Sequence, residues 1–359
     1  MFELQIKSSV ENYNVFIDVD IHQEANKFDF LIADVIFQDL LQDSKTPVFW
    51  VKSQEAYKTL GQVESICEAM KSAAIRRSSK IAAIGGGIVQ DLATLAASIY
   101  MRGVKWSYFP TTLTGMADSC LGGKSSINVG GTKNLVGNVY PPAAIFVDLS
   151  FEKSLSVEAK ISGLAEAVKI CFARGPEAFE NFLQNPASRI ATESSDLASL
   201  IELSLASKKW FIEKDEFDVA ERQLLNFGHS FGHALESACD FRIQHGVGVA
   251  IGMMAAIQHP ATSLSPATIA LEKYLVGLIA PIASKISNLP QEMDWGKFAN
   301  ALASDKKNSS TELCLILPGS TGTLEKTMLP YEYQAIEGAV ESMRRAFELL
   351  IKSGENNAR

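Results

Sequence analysis

The chain has 359 residues, 47% of them apolar and 21% charged, so it is long enough for two domains with cores and is neither disordered nor fibrous. A formal net charge of −8 argues against general binding to nucleic acid or anionic membranes and favours a small-molecule partner. Five widely spaced cysteines without a C-x-x-C pair predict neither a disulfide framework nor a structural zinc site, which fits a reducing cytoplasm.

The first part of the chain alternates short strand-like runs with helical segments. The strand-like runs are VFIDVDI (15–21), FDFLIAD (28–34), PVFWVK (47–52), KIAAIGGG (80–87) and WSYFPTT (106–112). Alternation of this kind predicts a parallel sheet with crossover helices.

The pattern changes near residue 150. Segments with a helical period follow at 156–173, 196–213, 222–239, 246–258 and 331–352, and two strand-like runs around a Gly/Ser turn at 311–329 predict a hairpin. The apolar run 247–257 is too short to span a bilayer, and the first ten residues lack the apolar segment of a signal peptide. We therefore expect two tightly joined domains, 1–150 and 151–359, in a cytoplasmic protein without a membrane partner.

Three glycines join a strand-like run to a helical segment in KIAAIGGGIVQD. At such a junction the backbone can approach a ligand closely and helix N–H groups can receive a dinucleotide pyrophosphate. Gly85 and Gly87 match G-x-G-x-x-G, but Gln90 stands at the last glycine, so a tight turn without a ligand is an equal alternative. Asp34, at the end of a buried run, suits an adenosine ribose or an ordinary structural role equally well.

The segment from 110 to 142 combines glycine pairs with charged and amide side chains. Two Gly–Gly pairs lie beside Lys124, Lys133, Asn128 and Asn134. Glycines permit close approach, while Lys and Asn supply charge and hydrogen bonds for a phosphate. A solvated loop is the alternative, but the density of these residues favours an anion site.

Three of the five histidines, His229, His233 and His245, lie close together in the sequence. His229 and His233 would share one helix face, yet Ser230 stands where zinc proteases carry Glu, so a hydrolytic zinc site is not indicated. His245 precedes an apolar helix that can fold back toward the first, and a catalytic metal needs about three protein ligands. Close helix packing without a metal is the alternative for the first two.

Glu166 and Lys169 are three residues apart on one helical face among apolar neighbours. A buried pair of opposite charges costs desolvation, which makes the pair a candidate for a functional site and Glu166 a candidate third ligand. An ion pair on a helix surface is the alternative.

Together these segments resemble the dehydroquinate synthase family, one branch of the sugar-phosphate cyclases. The matching blocks, in order, are GGGIVQDLA, YMRG, PTTL, DSCLGGK, TKNLVG, SGLAEAVK, LLNFGHSFGHALE followed by HG, and more loosely DKKN. The resemblance implies an α/β plus α fold, with an N-terminal Rossmann-like NAD-binding domain (1–150) and a C-terminal, mainly α-helical domain for metal and substrate (151–359). In that family the active site lies between the two domains.

The resemblance also implies a role for each matching residue. The ligands of a divalent metal, Zn²⁺ or Co²⁺, would be Glu166, His229 and His245, with His233 a catalytic histidine beside them. NAD contacts would fall on Asp34, Glu55, Lys58, Gly86, Gly87, Asp91, Thr111, Thr112 and Asp118, the last also counted as catalytic. The phosphate end of the substrate would bind Lys124, Asn134, Asn226 and Lys306 (or Lys307), with Arg102 reaching across a homodimer. Lys133 and Lys169 would lie near the reacting hydroxyls, and Lys208 and Arg222 would hold a substrate carboxylate.

The reaction that the resemblance implies has no net redox change. NAD oxidises a secondary alcohol of 3-deoxy-D-arabino-heptulosonate 7-phosphate, the new ketone acidifies the neighbouring C–H, and phosphate leaves. The hydride then returns, and an intramolecular aldol step closes 3-dehydroquinate.

Several positions depart from the family pattern. Asp218 stands for a catalytic Glu and is one methylene shorter, Val129 and Thr132 replace a His and a Gly, and Gln90 replaces a Gly. The alternatives are therefore another sugar-phosphate cyclase acting on sedoheptulose 7-phosphate or glucose 6-phosphate, a metal-dependent polyol dehydrogenase of the glycerol dehydrogenase type, and a non-catalytic relative. Arg222 favours the acid substrate, because a guanidinium suits a carboxylate that the other sugars lack.

Overall fold

The structure is a computed structural model that describes residues 2–130, 132–189, 194–305 and 307–357. The chain divides into two compact units, Met1–Leu155 with Glu193–Phe217 and Ser156–Thr192 with Asp218–Arg359. The strands are β1 (Phe2–Ile6), β2 (Tyr13–Ile17), β3 (Phe30–Asp34), β4 (Val48–Val51), β5 (Ile81–Gly85), β6 (Trp106–Pro110), β7 (Ile127–Val129), β8 (Thr132–Val136), β9 (Ala144–Val147), β10 (Glu312–Pro318) and β11 (Leu324–Pro330).

The helices belong to both units. They are α1 (Ile21–Glu24), α2 (Leu60–Ser72), α3 (Gly87–Ile99), α4 (Val157–Arg174), α5 (Pro176–Gln184), α6 (Ser194–Lys214), α7 (His229–Ala238), α8 (His245–Ile257), α9 (Pro266–Ile279), α10 (Ala283–Ile286), α11 (Leu289–Glu292), α12 (Trp295–Ala303) and α13 (Tyr333–Asn357).

A seven-stranded sheet in the order β1-β2-β9-β6-β5-β3-β4 forms the centre of the first unit. All neighbours from β2 to β4 are parallel, and β1 pairs with β2 in the antiparallel sense. Strands β3, β5 and β6 are buried along their whole length, as expected for continuous apolar runs covered on both faces. The α/β fold that the sequence predicts for this part of the chain is confirmed.

Helix α6 groups with this sheet, although the sequence analysis places everything after residue 150 in the second domain. Its side chains explain the grouping. Lys209 Nζ donates to the carbonyl oxygen of Gln5 (2.8 Å), and Glu213 accepts from the Lys7 amide (2.8 Å). Ser204 Oγ donates to the carbonyl oxygen of Ala117 (2.8 Å). These bonds tie the helix to both the first strand and a turn that follows β6.

In the second unit, helices α4, α7 and α8 touch through glycines. A Cβ atom on Gly252 of α8 would lie 2.1 Å from the carbonyl oxygen of Gly228, just before α7, and one on Gly246 would lie 2.3 Å from that of Ser162 on α4. Side chains at these positions would push the helices apart. The glycines therefore bring the first turns of α7 and α8 close to the middle of α4.

The single helix that the sequence predicts over 222–239 is wrong in its first third. The segment Glu221–Asn226 is a 3-10 turn, and α7 begins only at His229. Gly228 separates them with a left-handed backbone (φ 77°), and a Cβ there would lie 2.6 Å from Met253 Cγ. The break follows from the close approach of α8, which a continuous helix would prevent.

The stretch Pro266–Ile286 meets the length and composition of a membrane-spanning helix within the described residues. This is weak support for a span, because apolar helices in a protein core meet the same test. The stretch is also interrupted, since a 3-10 turn at Ala280–Ile282 separates α9 from α10.

Replacing Gly252 by alanine is expected to lower the free energy of unfolding by about 1–3 kcal/mol, because the added methyl overlaps the Gly228 carbonyl. The matched control is Gly277→Ala on α9, where a Cβ would meet no atom within 4 Å. There alanine is expected to raise the free energy of unfolding by about 0.5–1 kcal/mol, because glycine is unfavourable inside a helix. Urea denaturation of both variants measures the difference. Equal stabilities would contradict the glycine contact.

Candidate functional site

Three helices of the second unit bring one carboxylate and two imidazoles together. Glu166 lies in the middle of α4, while His229 and His245 are the first residues of α7 and α8. Glu166 Oε1 lies 3.3 Å from His245 Nε2 and 3.8 Å from His229 Nε2. Ligand atoms around a tetrahedral zinc ion with bonds of about 2.1 Å are about 3.4 Å apart. The three groups therefore have the spacing of ligands to one ion.

The other nitrogen of each ring is held by an acceptor. His229 Nδ1 donates to the carbonyl oxygen of Phe227 (3.2 Å), and His245 Nδ1 donates to Glu236 Oε1 (2.8 Å). With the proton at Nδ1, the lone pair of each ring is on Nε2, which faces Glu166. Carboxylates and carbonyls behind metal-bound histidines have this orienting role.

The carboxylate is also fixed from its second oxygen. Glu166 Oε2 accepts a hydrogen bond from Lys169 Nζ, and both side chains are almost fully buried. Burial alone would raise the pKa of the Glu166 carboxyl, but the Lys169 ammonium and the His245 ring reverse this and hold it well below its usual range. Glu166 is therefore ionised, as a metal ligand must be.

The two histidines have opposite electrostatic surroundings in the metal-free protein. Burial alone would lower the pKa of His245. The carboxylates of Glu166 and Glu236 have the larger effect and raise this pKa to about 10. Burial and the Lys169 ammonium lower the pKa of His229 well below its usual value. A metal ion and a proton would compete for the position between the carboxylates.

His233 is the third member of a compact triangle of rings. Its ring centroid lies 5.3 Å from that of His229 and 5.4 Å from that of His245. Ligand atoms of all three histidines lie within 4.8 Å of one another, so distance alone does not single out two of them. Among the described residues, however, no hydrogen bond holds the His233 ring, unlike the other two. Burial and the charge on His245 lower its pKa to about 4, so the ring is neutral near pH 7.

Replacing Glu236 by glutamine is expected to weaken metal binding by roughly 10–100-fold, because His245 loses the carboxylate that orients it. Competition with a chelator of known affinity measures the change. The control is Glu341→Gln, which removes an exposed carboxylate paired with Arg345 on α13 and should leave metal affinity unchanged. An equal affinity in the two variants would contradict the role of Glu236.

Other predicted residues of the second unit lie in the segment before α7. Arg222 is buried within the 3-10 turn, and Asn226 Nδ2 donates to the carbonyl oxygen of Gln223 (3.0 Å). Asp218 has a left-handed backbone (φ 63°), and its carbonyl oxygen accepts from the Gln223 side chain (3.2 Å). The strained backbone at Asp218 marks it as a fixed position rather than a loose loop residue.

The DKKN segment also belongs to this unit. Lys306 lies outside the described residues. Lys307 Nζ is 3.1 Å from Asp305 Oδ2, and its charge contributes to lowering the pKa of both His229 and His233. The structure therefore places Lys307, the alternative phosphate ligand, near the histidines.

In the first unit, the predicted cofactor residues share the carboxyl edge of adjacent strands. Asp34 ends β3, Gly86 and Gly87 follow β5, and the two threonines, Thr111 and Thr112, follow β6. Asp34 is nearly buried and accepts from the Ile36 amide (3.2 Å). A Cβ on Gly86 would lie 3.0 Å from Thr112, whereas one on Gly87 would meet nothing within 4 Å. The edge thus has an open helix N-terminus beside a carboxylate, as a dinucleotide site requires.

A polar cluster joins the other predicted NAD contacts to the glycine-rich segment. Lys58 Nζ, almost buried, lies 2.9 Å from Asp91 Oδ2 and 2.6 Å from Asn134 Oδ1. Glu55 Oε1 accepts from Asn128 (2.8 Å) and lies 3.9 Å from Lys133 Nζ. The structure therefore brings together residues that the resemblance divides between NAD and substrate.

Asp118 and Lys208, predicted to bind cofactor and carboxylate respectively, contact each other. Lys208 Nζ lies 2.5 Å from Asp118 Oδ1 and donates to the Asp118 carbonyl oxygen (2.6 Å). Lys124 is exposed and forms an antiparallel β-bridge with Val139. The two residues lie on either side of the β7–β8 hairpin in the sequence.

Arg102 is separated from the other predicted site residues of its unit. It ends a 3-10 turn after α3, a helix of 13 residues that spans about 20 Å from the glycine junction. It is exposed and has a left-handed backbone (φ 64°), and α3 leads to it from the carboxyl edge of the sheet toward the opposite edge. Arg102 therefore does not join the carboxyl-edge residues of its own chain.

Sequence reasoning missed two groups in these sites. Glu236, which orients His245, lies on the same face of α7 as His233 and one turn after it, a signal that spacing could have revealed. Gln90, named only as a departure from the family, makes two hydrogen bonds with Ser119. Only a structure shows that pair, since the partners are distant in sequence.

Comparison with known proteins places these sites in a family. Residues 48–162 match the family described as 3-dehydroquinate synthase N-terminal, and residues 163–308 match 3-dehydroquinate synthase C-terminal. The chain is 32% identical over 338 residues to a 3-dehydroquinate synthase of Dictyoglomus thermophilum, covering 90% of this chain and 94% of the relative.

Two solved structures have a similar fold. A 2-deoxy-scyllo-inosose synthase complexed with carbaglucose-6-phosphate, NAD⁺ and Co²⁺ matches with a TM-score of 0.80 at 22% identity, covering 96% of this chain and 99% of the other. A probable glycerol dehydrogenase from Sinorhizobium meliloti 1021 matches with a TM-score of 0.64 at 15% identity, covering 95% and 97%. The two family matches together span more than half of the sequence, and the chain belongs to the 3-dehydroquinate synthase family.

Proposed function

We propose that this protein is a 3-dehydroquinate synthase that uses NAD and a divalent metal ion to convert 3-deoxy-D-arabino-heptulosonate 7-phosphate into 3-dehydroquinate and phosphate. The observation that carries the proposal is the convergence of Glu166, His229 and His245 in a chain of this family. A carboxylate with two imidazoles suits Zn²⁺ or Co²⁺ and leaves a coordination position for a substrate oxygen.

The residues present fit both cofactors. Glu166, His229 and His245 would hold the metal, and the open N-terminus of α3 beside Asp34 would receive NAD. The structurally similar inosose synthase was solved with NAD⁺ and Co²⁺. When bound, the metal polarises a substrate oxygen and NAD accepts and returns a hydride.

The side chains near the metal ligands would manage protons. Lys169 Nζ donates to the ionised Glu166 and can also donate to a substrate oxygen. The neutral His233 ring, free of hydrogen bonds among the described residues, can accept a proton from a substrate hydroxyl. We also assign a catalytic role to Asp218, which stands for the family's Glu, and to Lys133, which matches a family position for the reacting hydroxyls.

The substrate's two charged ends would be bound by basic and amide side chains. We assign the carboxylate to Arg222, with Lys208 as a second cation, since a guanidinium matches a carboxylate in two hydrogen bonds. We assign the phosphate to Lys124, Asn134, Asn226 and Lys306, or Lys307 beside the histidines. The contacts of Lys208 with Asp118 mean that its ammonium already has an anionic partner before substrate binds.

The position of Arg102 supports the proposal that the protein is a homodimer. It lies about 20 Å from the glycine junction of its own chain, so a second subunit would have to supply it to a phosphate site. Ile99 and Met101 beside it are 54% and 43% exposed, as residues of a subunit contact would be in an isolated chain. We expect the protein to be cytoplasmic and without a nucleic-acid or membrane partner.

The experiment that tests the proposal measures phosphate and NADH together. With NAD, Zn²⁺ and the heptulosonate phosphate, we expect stoichiometric phosphate and no net NADH. A metal-dependent polyol dehydrogenase would instead accumulate NADH from glycerol without releasing phosphate. That result would overturn the proposal, and so would the absence of both products.

A further inference from the structure

Gln90 lies in the first turn of α3, directly after the glycine junction, and its side chain is 4% exposed. Its Nε2 donates to the carbonyl oxygen of Ser119 (2.6 Å), and the Ser119 hydroxyl donates to Gln90 Oε1 (2.8 Å). The backbone N–H of Gln90 donates to the carbonyl oxygen of Gly86 (3.0 Å). One residue therefore ties the backbone of the glycine junction to Ser119 by a two-point contact in a dry environment, where hydrogen bonds are strong.

Ser119 is the last residue of a π-helical turn, Gly115–Ser119, and Asp118 stands directly before it within that turn. Two residues of α6 hold the same turn from another side: Ser204 donates to the Ala117 carbonyl (2.8 Å), and Lys208 contacts Asp118 through both its side chain and its carbonyl oxygen. A π-helical turn is a rare conformation that commonly occurs at functional sites. Among the described residues, the hydrogen bonds that hold the carbonyl and hydroxyl of Ser119 from the α3 side are those of Gln90.

We propose that Gln90 is a positioning residue, which fixes the Asp118–Lys208 pair relative to the glycine junction through its two hydrogen bonds with Ser119. This inference rests on the proposed function, because it assumes that the glycine junction and Asp118 both contact NAD. The family pattern has a glycine at this position. A glycine has no side chain to bind Ser119, so other parts of the fold would have to set the distance between the glycine junction and Asp118.

The test compares Gln90→Leu, which keeps the size of the side chain but removes both hydrogen bonds, with Ser119→Ala, which removes one. NAD affinity without substrate, kcat at saturating NAD and KM for the sugar phosphate are measured for each. For Gln90→Leu we expect NAD affinity and kcat each to fall by roughly 10–100-fold, because a displaced contact of about 1 Å has effects of this size. Metal content should not change, and KM for the sugar phosphate should rise by a smaller factor than NAD affinity falls, because Lys208 is only the second cation assigned to its carboxylate. Ser119→Ala should show smaller losses of the same kind.

The matched control is Thr94→Val. Thr94 is fully buried on the same helix and donates to the Gln90 carbonyl oxygen (2.7 Å), so its loss perturbs α3 without touching Ser119. It should lower thermal stability while leaving NAD affinity within about twofold of the wild type. If Gln90→Leu and Thr94→Val change NAD affinity equally, the role of Gln90 is only structural and the proposal is overturned.

A double-mutant cycle with Asp118→Asn asks whether Gln90 acts through Asp118. When Asp118 is already changed, adding Gln90→Leu should reduce NAD affinity by less than about threefold, because the group that Gln90 positions is gone. Fully additive losses would overturn the proposal. Failure of the wild-type protein to bind NAD would instead refute the proposed function itself, so the two failures are distinguishable.

Discussion

Replacing Glu166 by glutamine is expected to remove the metal and nearly all phosphate release. The change deletes the only carboxylate that faces both His229 and His245 within 4 Å among the described residues. We expect metal affinity to fall by about a thousandfold, which corresponds to a loss of about 4 kcal/mol and is typical of losing the charge of a ligand. Equilibrium dialysis followed by metal analysis measures the affinity, and phosphate release measures the activity.

This variant also leaves the Lys169 ammonium buried without its carboxylate, which is expected to lower the free energy of unfolding by about 3–5 kcal/mol. The double variant Glu166→Gln with Lys169→Met is the control. Removing the buried charge should restore much of the stability, yet metal affinity should stay low. If stability and metal binding recover together, Glu166 is needed for folding and is not a ligand.

Replacing Arg222 by alanine is expected to weaken binding of the heptulosonate phosphate by about a hundredfold, because two charge-assisted hydrogen bonds to its carboxylate would be lost. Arg222→Lys keeps the charge without the planar fork and should give an intermediate loss. Calorimetry in the presence of NAD measures the dissociation constants.

Sedoheptulose 7-phosphate is the matched ligand for this experiment, since it carries the phosphate but no carboxylate. Its affinity should change by less than about threefold in Arg222→Ala. Equal losses for both sugars would show that Arg222, which is buried in its 3-10 turn, supports the fold and does not read the carboxylate.

The apolar runs of the sequence predicted five strands of the seven-stranded sheet, β2 to β6, and the 3.6-residue period predicted α4, α6, α8, α13 and part of α7. Runs such as FLIAD and IAAIG are continuous and apolar because they are buried on both faces, and the helices α4, α8 and α13 occur where the sequence has a 3.6-residue pattern. The predicted strands did not include β1, β7, β8 and β9.

The break before α7 has a different origin. Helical periodicity continues through 222–239, but contact between the backbones of α7 and α8 requires a left-handed residue at Gly228. That contact is tertiary, so local pattern does not reveal it. The grouping of α6 with the sheet unit likewise depends on long-range bonds, such as Lys209 to Gln5.

For the candidate site, residue types and spacing identified His229, His245 and Glu166 as a possible set, and the resemblance separated His233 from them. These three side chains come together because Gly228, Gly246 and Gly252 let the helices pack closely. Those glycines are not part of any sequence pattern for metal ligands. The partners of these groups, Glu236 behind His245 and Ser119 beside Gln90, are fixed by side-chain geometry between elements and therefore needed a structure.

A cyclase with this site is expected to act on a sugar phosphate that carries a carboxylate. The most direct measurement is the initial rate of phosphate release, with NAD and Zn²⁺, from the heptulosonate phosphate, sedoheptulose 7-phosphate and glucose 6-phosphate, each at the same concentration. We expect phosphate from the heptulosonate phosphate alone, with an equal amount of 3-dehydroquinate. Phosphate release from either carboxylate-free sugar, with none from the acid, would contradict it.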